Sequence, residues 1–470
     1  MCKRIILSFL LIPIFTPLFS QQYATGGIID TIKYKKIEKV SRALGFSDPS
    51  KPSYSLKEFC PIPGYQGSLG TCTSWATGYA ALTIAWAIQN NIRDKNTITN
   101  NAKSALFLFN QAPHPDCNGA LQENILKILQ TKGDCNIKDF NPTDCFTLPN
   151  LSPKTNIHNI QIIGYYGAFD LSDSKDSKIS AIINSINSNK PVIVDLILTN
   201  DLQNVGKDGL YKPILPYNGE AHAVCLIGYN NINKEFEFIN SWGTSWGDSG
   251  FFKMSYNDFI RDCKGAYVFS LKKLSKAITL NGTFHLLKFD QINPITKFPD
   301  FKEIQPILNS KKIYTIENTI KKDDLFRLKA TDLSMDTYVY ILTFKPDGTA
   351  EILFPLRYSS NDDEEKDIPL ITGVNATINL PENYQNAYST DLRGDDVLCI
   401  LYSKKRINDL DESIKNYHSN ENIRIWLKNT FGSDLINSDQ ITYSGNSMSF
   451  TTIGSPIGSI LPIILQVHVN

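Results

Sequence analysis

The stretch Gln66-Gly67-Ser68-Leu69-Gly70-Thr71-Cys72-Thr73-Ser74-Trp75-Ala76 constrains this chain more than any other. A glycine-containing turn passes into an apolar run over 76–88. The run reads as a buried helix with Cys72 in its first turn. A thiol there faces the positive end of the helix dipole, which lowers its pKa and favours the nucleophilic thiolate. A cysteine at a helix start is more often packing than chemistry. The downstream residues reverse that reading.

Glu220-Ala221-His222-Ala223-Val224-Cys225-Leu226-Ile227-Gly228-Tyr229 reads as a buried strand with one imidazole at its start. A second strand, 235–239, follows across an Asn-rich turn and runs into Asn240-Ser241-Trp242-Gly243-Thr244-Ser245-Trp246-Gly247. Strands joined by a short polar turn pair antiparallel, which makes His222 and Asn240 neighbours. A cysteine nucleophile, a histidine base and an orienting amide form a triad for acyl chemistry. Gln66 can donate its side-chain amide to an oxyanion beside the Cys72 backbone N–H.

In these residues the segment from about Tyr54 to Ser275 resembles the papain-family cysteine peptidases. The resemblance implies Gln66 as the oxyanion glutamine, Cys72 as nucleophile, His222 as base and Asn240 as its orienter, with Trp242 shielding the His–Asn hydrogen bond and lining the leaving-group side. It also implies an α+β, two-lobed fold, helical lobe against β-barrel-like lobe, with substrate in the cleft between them. Gly70, Gly119 and Ala120 would then border an extended peptide. Leu121 and Ala221 would shape the pocket for the second residue before the scissile bond, and their apolar character implies a hydrophobic side chain there. The sequence departs from the family signature at Leu69, Thr71 and Thr73. Leu69 removes one half of a common family disulfide, so Cys117, its usual partner, pairs elsewhere or stays free. The Gly-Thr-Cys-Thr form resembles a bacterial branch of the family.

With 470 residues the chain has room for two or three domains. Its 47 basic and 47 acidic residues balance, so no basic face advertises nucleic acid. Lys3 and Arg4 followed by the apolar run 5–19, interrupted by Pro13 and Pro17, match a secretory signal peptide over residues 1–20. No transmembrane segment is expected beyond it. Export to the periplasm, cell surface or medium of a bacterium places the cysteines under oxidising conditions. Cys225 lies in the apolar strand and is expected to stay reduced. Among the other cysteines Cys135–Cys145 is the expected pair, although spacing does not encode connectivity.

Residues 21–53 form a short N-terminal arm, too short for a helical inhibitory prodomain, so latency by that device is not expected. Helices are expected at 104–110 and 121–130, then strands at 160–166, 192–198, 223–229, 235–239 and 250–254, with a helix over 176–188. Residues 276–320 read as linker and first strands. Residues 321–470 read as a β-rich accessory domain, for which a sandwich is one arrangement, with a hairpin over 338–354 around Asp347-Gly348. Its Tyr-Val-Tyr-Ile…Pro-Asp-Gly…Leu-Phe-Pro pattern is similar to an uncharacterised domain of bacterial envelope enzymes, which implies binding of an envelope component or partner protein.

His114, His158, His285, His418 and His468 lack partners at metal-ligand spacing, and Asp362-Asp363-Glu364-Glu365 reads as a solvated loop. No metal or other cofactor is expected. The function that follows is thioester-mediated hydrolysis of peptide bonds in a protein or peptide substrate. An acyl transferase or amide ligase with the same triad, and a non-catalytic envelope docking protein, are the alternatives.

Overall fold

A computed structural model describes residues 23–470 except 42, 47–50, 115, 151–159, 215–218, 273–278, 296, 317–319, 361–362, 372–375, 383–385, 418–421 and 446. The expected signal segment, His158, His418 and Asp362 lie outside the described residues.

The helix that begins at Cys72 runs through Cys72–Ser74, widens to π-helical turns over Trp75–Leu82 and returns to α turns over Thr83–Gln89. Residues 71–84 are buried without interruption. This fits a segment of small and apolar residues with no polar face. Gly78 is required by packing, since a Cβ there would lie 2.7 Å from Asp134 Oδ2. Helices Ala105–Phe109 and Gln122–Thr131 complete this side of the molecule.

Facing it is an antiparallel sheet in the order Phe251–Ser255, Glu235–Ile239, Glu220–Asn230, Val192–Leu198, Cys263–Leu271 and Ile162–Gly167. Val192–Leu198 is almost wholly apolar and buried on both faces, with one exception, Asp195. The helical and sheet parts share one hydrophobic core, and the helix start at Cys72 packs against the strand Glu220–Asn230.

Cys117 pairs with Cys145, Cα atoms 5.7 Å apart, and not Cys135 with Cys145. Cys135 is instead a buried free thiol, and Cys225 is also free and buried. The pairing follows from which loop folds back onto residue 145, a long-range property that spacing leaves open.

Residues beyond 279 build two facing sheets. One runs Ile441–Tyr443, Met448–Thr452, Asn281–Ile292, Leu325–Thr331, Ala376–Leu380, and the other Ile307–Leu308, Tyr314–Thr315, Ile460–Val469, Gly394–Ser403, Tyr338–Phe344, Ala350–Phe354. The period of two in 338–344 decides the packing. Val339 and Ile341 point between the sheets with Phe284 and Ile400, while Tyr340, Leu342 and Phe344 point outward to Trp426 and Leu427 on the helix Ile423–Phe431. The acidic run expected as a loop is a strand, Asp363–Ile368, in a hairpin with Arg357–Ser360.

The arm ties these parts together. Lys39–Val40 pairs with Gly167 on one side and with Asp367 and Ile368 on the other. Leu44–Phe46 adds an edge strand to Ala376–Leu380, and Leu44 is buried in the C-terminal core. Ile368 and Leu370 in turn belong to the first core.

Candidate active site

Cys72 reaches the cleft because the turn 67–71 delivers it at the start of a helix pinned by burial. Its sulfur accepts the backbone N–H of Ala223 at 3.4 Å, which places it against the residue next to His222. Leu226 pairs with Phe238 and Cys225 with Ile239, a register that brings the start of one strand beside the end of the other. His222 Nε2 therefore lies 2.9 Å from Asn240 Oδ1, and its Nδ1 has no hydrogen-bond partner. Trp242 stacks on the imidazole, ring centroids 4.9 Å apart at 30°. An aromatic lid over this bond keeps water from competing for it.

Gln66 is tethered at both ends of its amide. Its Oε1 accepts Ser241 Oγ–H at 2.5 Å, and its Nε2 donates to the Leu69 carbonyl at 2.8 Å, leaving a second N–H on the same nitrogen. Ser241, not singled out from the sequence, thus fixes which end of Gln66 faces the cleft.

Gly70, Gly119, Ala120, Leu121, Ala221 and Trp242 come together too, but beneath the arm. Gly27 and Ile28 pair in parallel with Ala120 and Leu121. Ala120 N–H donates to Gly26 O at 3.3 Å, and Gly26 N–H to Ala221 O at 3.4 Å. A Cβ on Gly26, whose φ is +132°, would stand 2.4 Å from Gly70 O, so only glycine passes here. Tyr23 stacks on Trp242 at 4.9 Å and 18°, and Trp242 Nε1 donates to Ala24 O at 2.8 Å. Residues 23–28 therefore cover the site, although the arm is too short to form a helical prodomain.

That cover shows in the electrostatics. Burial pushes the Cys72 thiol up to about 12, opposed by the Ala223 N–H, and pulls the His222 imidazole down to about 4, opposed by Asn240. Both groups are held neutral, since ions are costly where water is excluded.

Three acids lie nearby that the sequence reading did not single out. Asp195 and Glu123 converge on the Tyr267 hydroxyl, with Oδ2 at 3.2 Å and Oε1 at 2.9 Å. Glu220 accepts Thr25 Oγ1–H at 2.6 Å. A lone aspartate inside Val-Ile-Val-Asp-Leu-Ile-Leu was the available signal. Among the described residues no cluster of three or more His, Cys, Asp or Glu side chains is arranged to hold a metal. His285 contacts Glu303 at 2.7 Å and Thr331 at 2.9 Å, and His468 contacts Asp395 at 2.6 Å.

Residues 63–270 match the family model described as papain family cysteine protease. Curated relatives include gamete and mating-type specific protein A of Dictyostelium discoideum, 25% identical over 40% of this chain and 39% of its own length. An uncharacterized peptidase C1-like protein of Acanthamoeba polyphaga mimivirus is 27% identical over 41% of this chain and 63% of its own. The viral cathepsin of Rachiplusia ou multiple nucleopolyhedrovirus is 27% identical over 41% and 55%. The matched part thus spans less than two thirds of the length of these relatives. Among solved structures, xylellain, a cysteine protease from Xylella fastidiosa, aligns at 19% identity over 53% of this chain and 96% of its own, with a TM-score of 0.41. Bromelain from Ananas comosus aligns at 20% identity over 47% and 99%, with a TM-score of 0.38. Residues 63–270 of this chain are a papain-family cysteine protease domain.

Proposed function

We propose that the chain is an exported cysteine peptidase, held latent by its own residues 23–28, which cleaves peptide bonds through Cys72, His222, Asn240 and Gln66. The observation that carries this reading is the combination of two contacts and one unpartnered ring nitrogen. Cys72 Sγ sits on the Ala223 N–H, His222 Nε2 is held by Asn240, and the free Nδ1 is the ring nitrogen left to exchange a proton with sulfur.

The Cys72 proton passes to His222, and the thiolate attacks the carbonyl carbon. The oxyanion is held by the Cys72 N–H and the second N–H of Gln66, each worth about 2.7–4 kcal/mol by analogy with measured oxyanion holes. His222 returns its proton to the leaving amine as the C–N bond breaks, and water then hydrolyses the thioester with His222 as base. Asn240, a neutral amide, orients the imidazole without adding charge. The Cys117–Cys145 bridge supports an oxidising compartment. A docking role of the C-terminal part toward an envelope component or partner protein rests on its sequence resemblance alone.

Hydrolysis of a fluorogenic peptide panel by Gly26→Val, whose added side chain forces the arm off Gly70, and by Gly26→Val carrying Cys72→Ala tests the reading, alongside labelling with a peptidyl epoxide. Turnover and labelling both vanish in Cys72→Ala on this mechanism. Cleavage that survives the substitution would remove Cys72 from the chemistry.

A further inference from the structure

Away from the catalytic cleft, the arm, the peptidase domain and the C-terminal part together line a cavity of about 400 Å³. That is the size of a small-molecule site. Lys36 and Glu38 come from the arm, Gly164 and Tyr166 from the strand Ile162–Gly167, and Tyr338 and Arg406 from the C-terminal part.

The charges of this lining do not cancel. Glu38 and Arg406 form a bidentate pair and neutralise each other. The pair uses two of the five guanidinium N–H groups and leaves three for another acceptor. Lys36 is exposed, and its ammonium has no hydrogen bond or ion pair among the described residues. One positive charge is left over.

The hydroxyls are left over as well. Neither the Tyr166 nor the Tyr338 hydroxyl has a hydrogen-bond partner among the described residues. Tyr166 is the sharper case, because the residue is only 8% exposed. Its hydroxyl stands over Gly164, where a Cβ would lie 2.6 Å from the phenol oxygen. A buried phenol ordinarily finds a partner, and phenylalanine would fill the same space without a polar atom to desolvate. Burial raises both phenols above their ordinary range, so both stay protonated and able to donate. A phenol hydroxyl also accepts, which matches a ligand that carries hydroxyls of its own.

We propose that this cavity binds a sugar acid, one monosaccharide-sized ring carrying one carboxylate. The carboxylate lies toward Lys36 and the remaining N–H groups of Arg406, and the ring hydroxyls meet Tyr166 and Tyr338. The ligand touches all three parts of the chain at once. Its binding is separate from peptide cleavage and does not depend on the peptidase reading.

Isothermal titration of the full chain with sodium glucuronate, galacturonate and N-acetylneuraminate at constant ionic strength tests this. Glucose and acetate serve as the neutral ring and the bare acid. At least one sugar acid is expected to bind with a Kd of about 1 mM or tighter, and glucose and acetate at least about tenfold more weakly. Tyr166→Phe, which removes only the hydroxyl, and Lys36→Met each weaken that binding by about tenfold. Absence of saturable binding by all three acids, binding of glucose as tight as that of the acids, or an affinity unmoved by both substitutions overturns the site.

Discussion

Asn240 shows how much one neutral side chain controls. Its Oδ1 fixes the His222 ring, and Asn240 Nδ2 is buried without a partner of its own. Replacing Asn240 with Ala frees the ring to rotate, and kcat falls by about a hundredfold, the scale of a misplaced catalytic group. Peptide hydrolysis by an equally well folded Asn240→Ala variant reads this directly. The thiol offers a second measurement. Because burial raises the Cys72 pKa to about 12, the covered thiol stays protonated through its ordinary range, and thiolate develops only as pH rises far above it. The thiolate ultraviolet absorbance lost in Cys72→Ala should show no step below about pH 9 in the full chain. In Gly26→Val, with the arm displaced, a step should appear below about pH 8.5, as helix dipole and imidazole regain the thiolate. Matching titrations in the two forms would show that the arm does not set the ionisation.

At the scale of elements, the strands that carry His222 and Asn240 were legible because their pattern is local. The run 192–198 is buried on both faces, and the hairpin carrying His222 and Asn240 closes through one short polar turn, so pattern and pairing coincide. The arm was not legible. Residues 27–28 pair with 120–121 over two residues, too short for alternation to register, and the pairing depends on glycines whose value appears only against Gly70 and Ala221. The same limit hid the disulfide, since both 117 and 135 lie within reach of 145 in sequence. The bridge now observed encloses a 28-residue separation, and removing it with Cys145→Ser should cost about 3–4 kcal/mol by the loop-entropy relation. Urea unfolding of the oxidised chain and the variant checks this, and equal midpoints would refute it.

Across the whole molecule the arm makes the two halves less separable than a linker at 276–320 suggests. One end covers the cleft through Tyr23, Gly26 and Gly27. The middle is locked by Tyr34, whose hydroxyl donates to Phe169 O at 2.6 Å, and by a bidentate pair between Glu38 and Arg406. The far end is an edge strand of the C-terminal sandwich. A chain ending at residue 275 keeps the triad residues and Gln66 but loses Ile368 and Leu370, both fully buried in the first core. Their removal lowers stability by on the order of 3–6 kcal/mol, at 1.5–3 kcal/mol for each buried side chain. It also unseats residues 39–46, so the arm lies over the cleft with fewer anchors and epoxide labelling of Cys72 becomes faster than in the full chain. Denaturant unfolding and labelling kinetics on the same truncated sample separate the two effects. A truncated chain as stable as the parent would mean that the sheet junction contributes nothing. Labelling slower than in the parent, on a folded sample, would mean that the C-terminal half holds the site open and does not hold the arm in place.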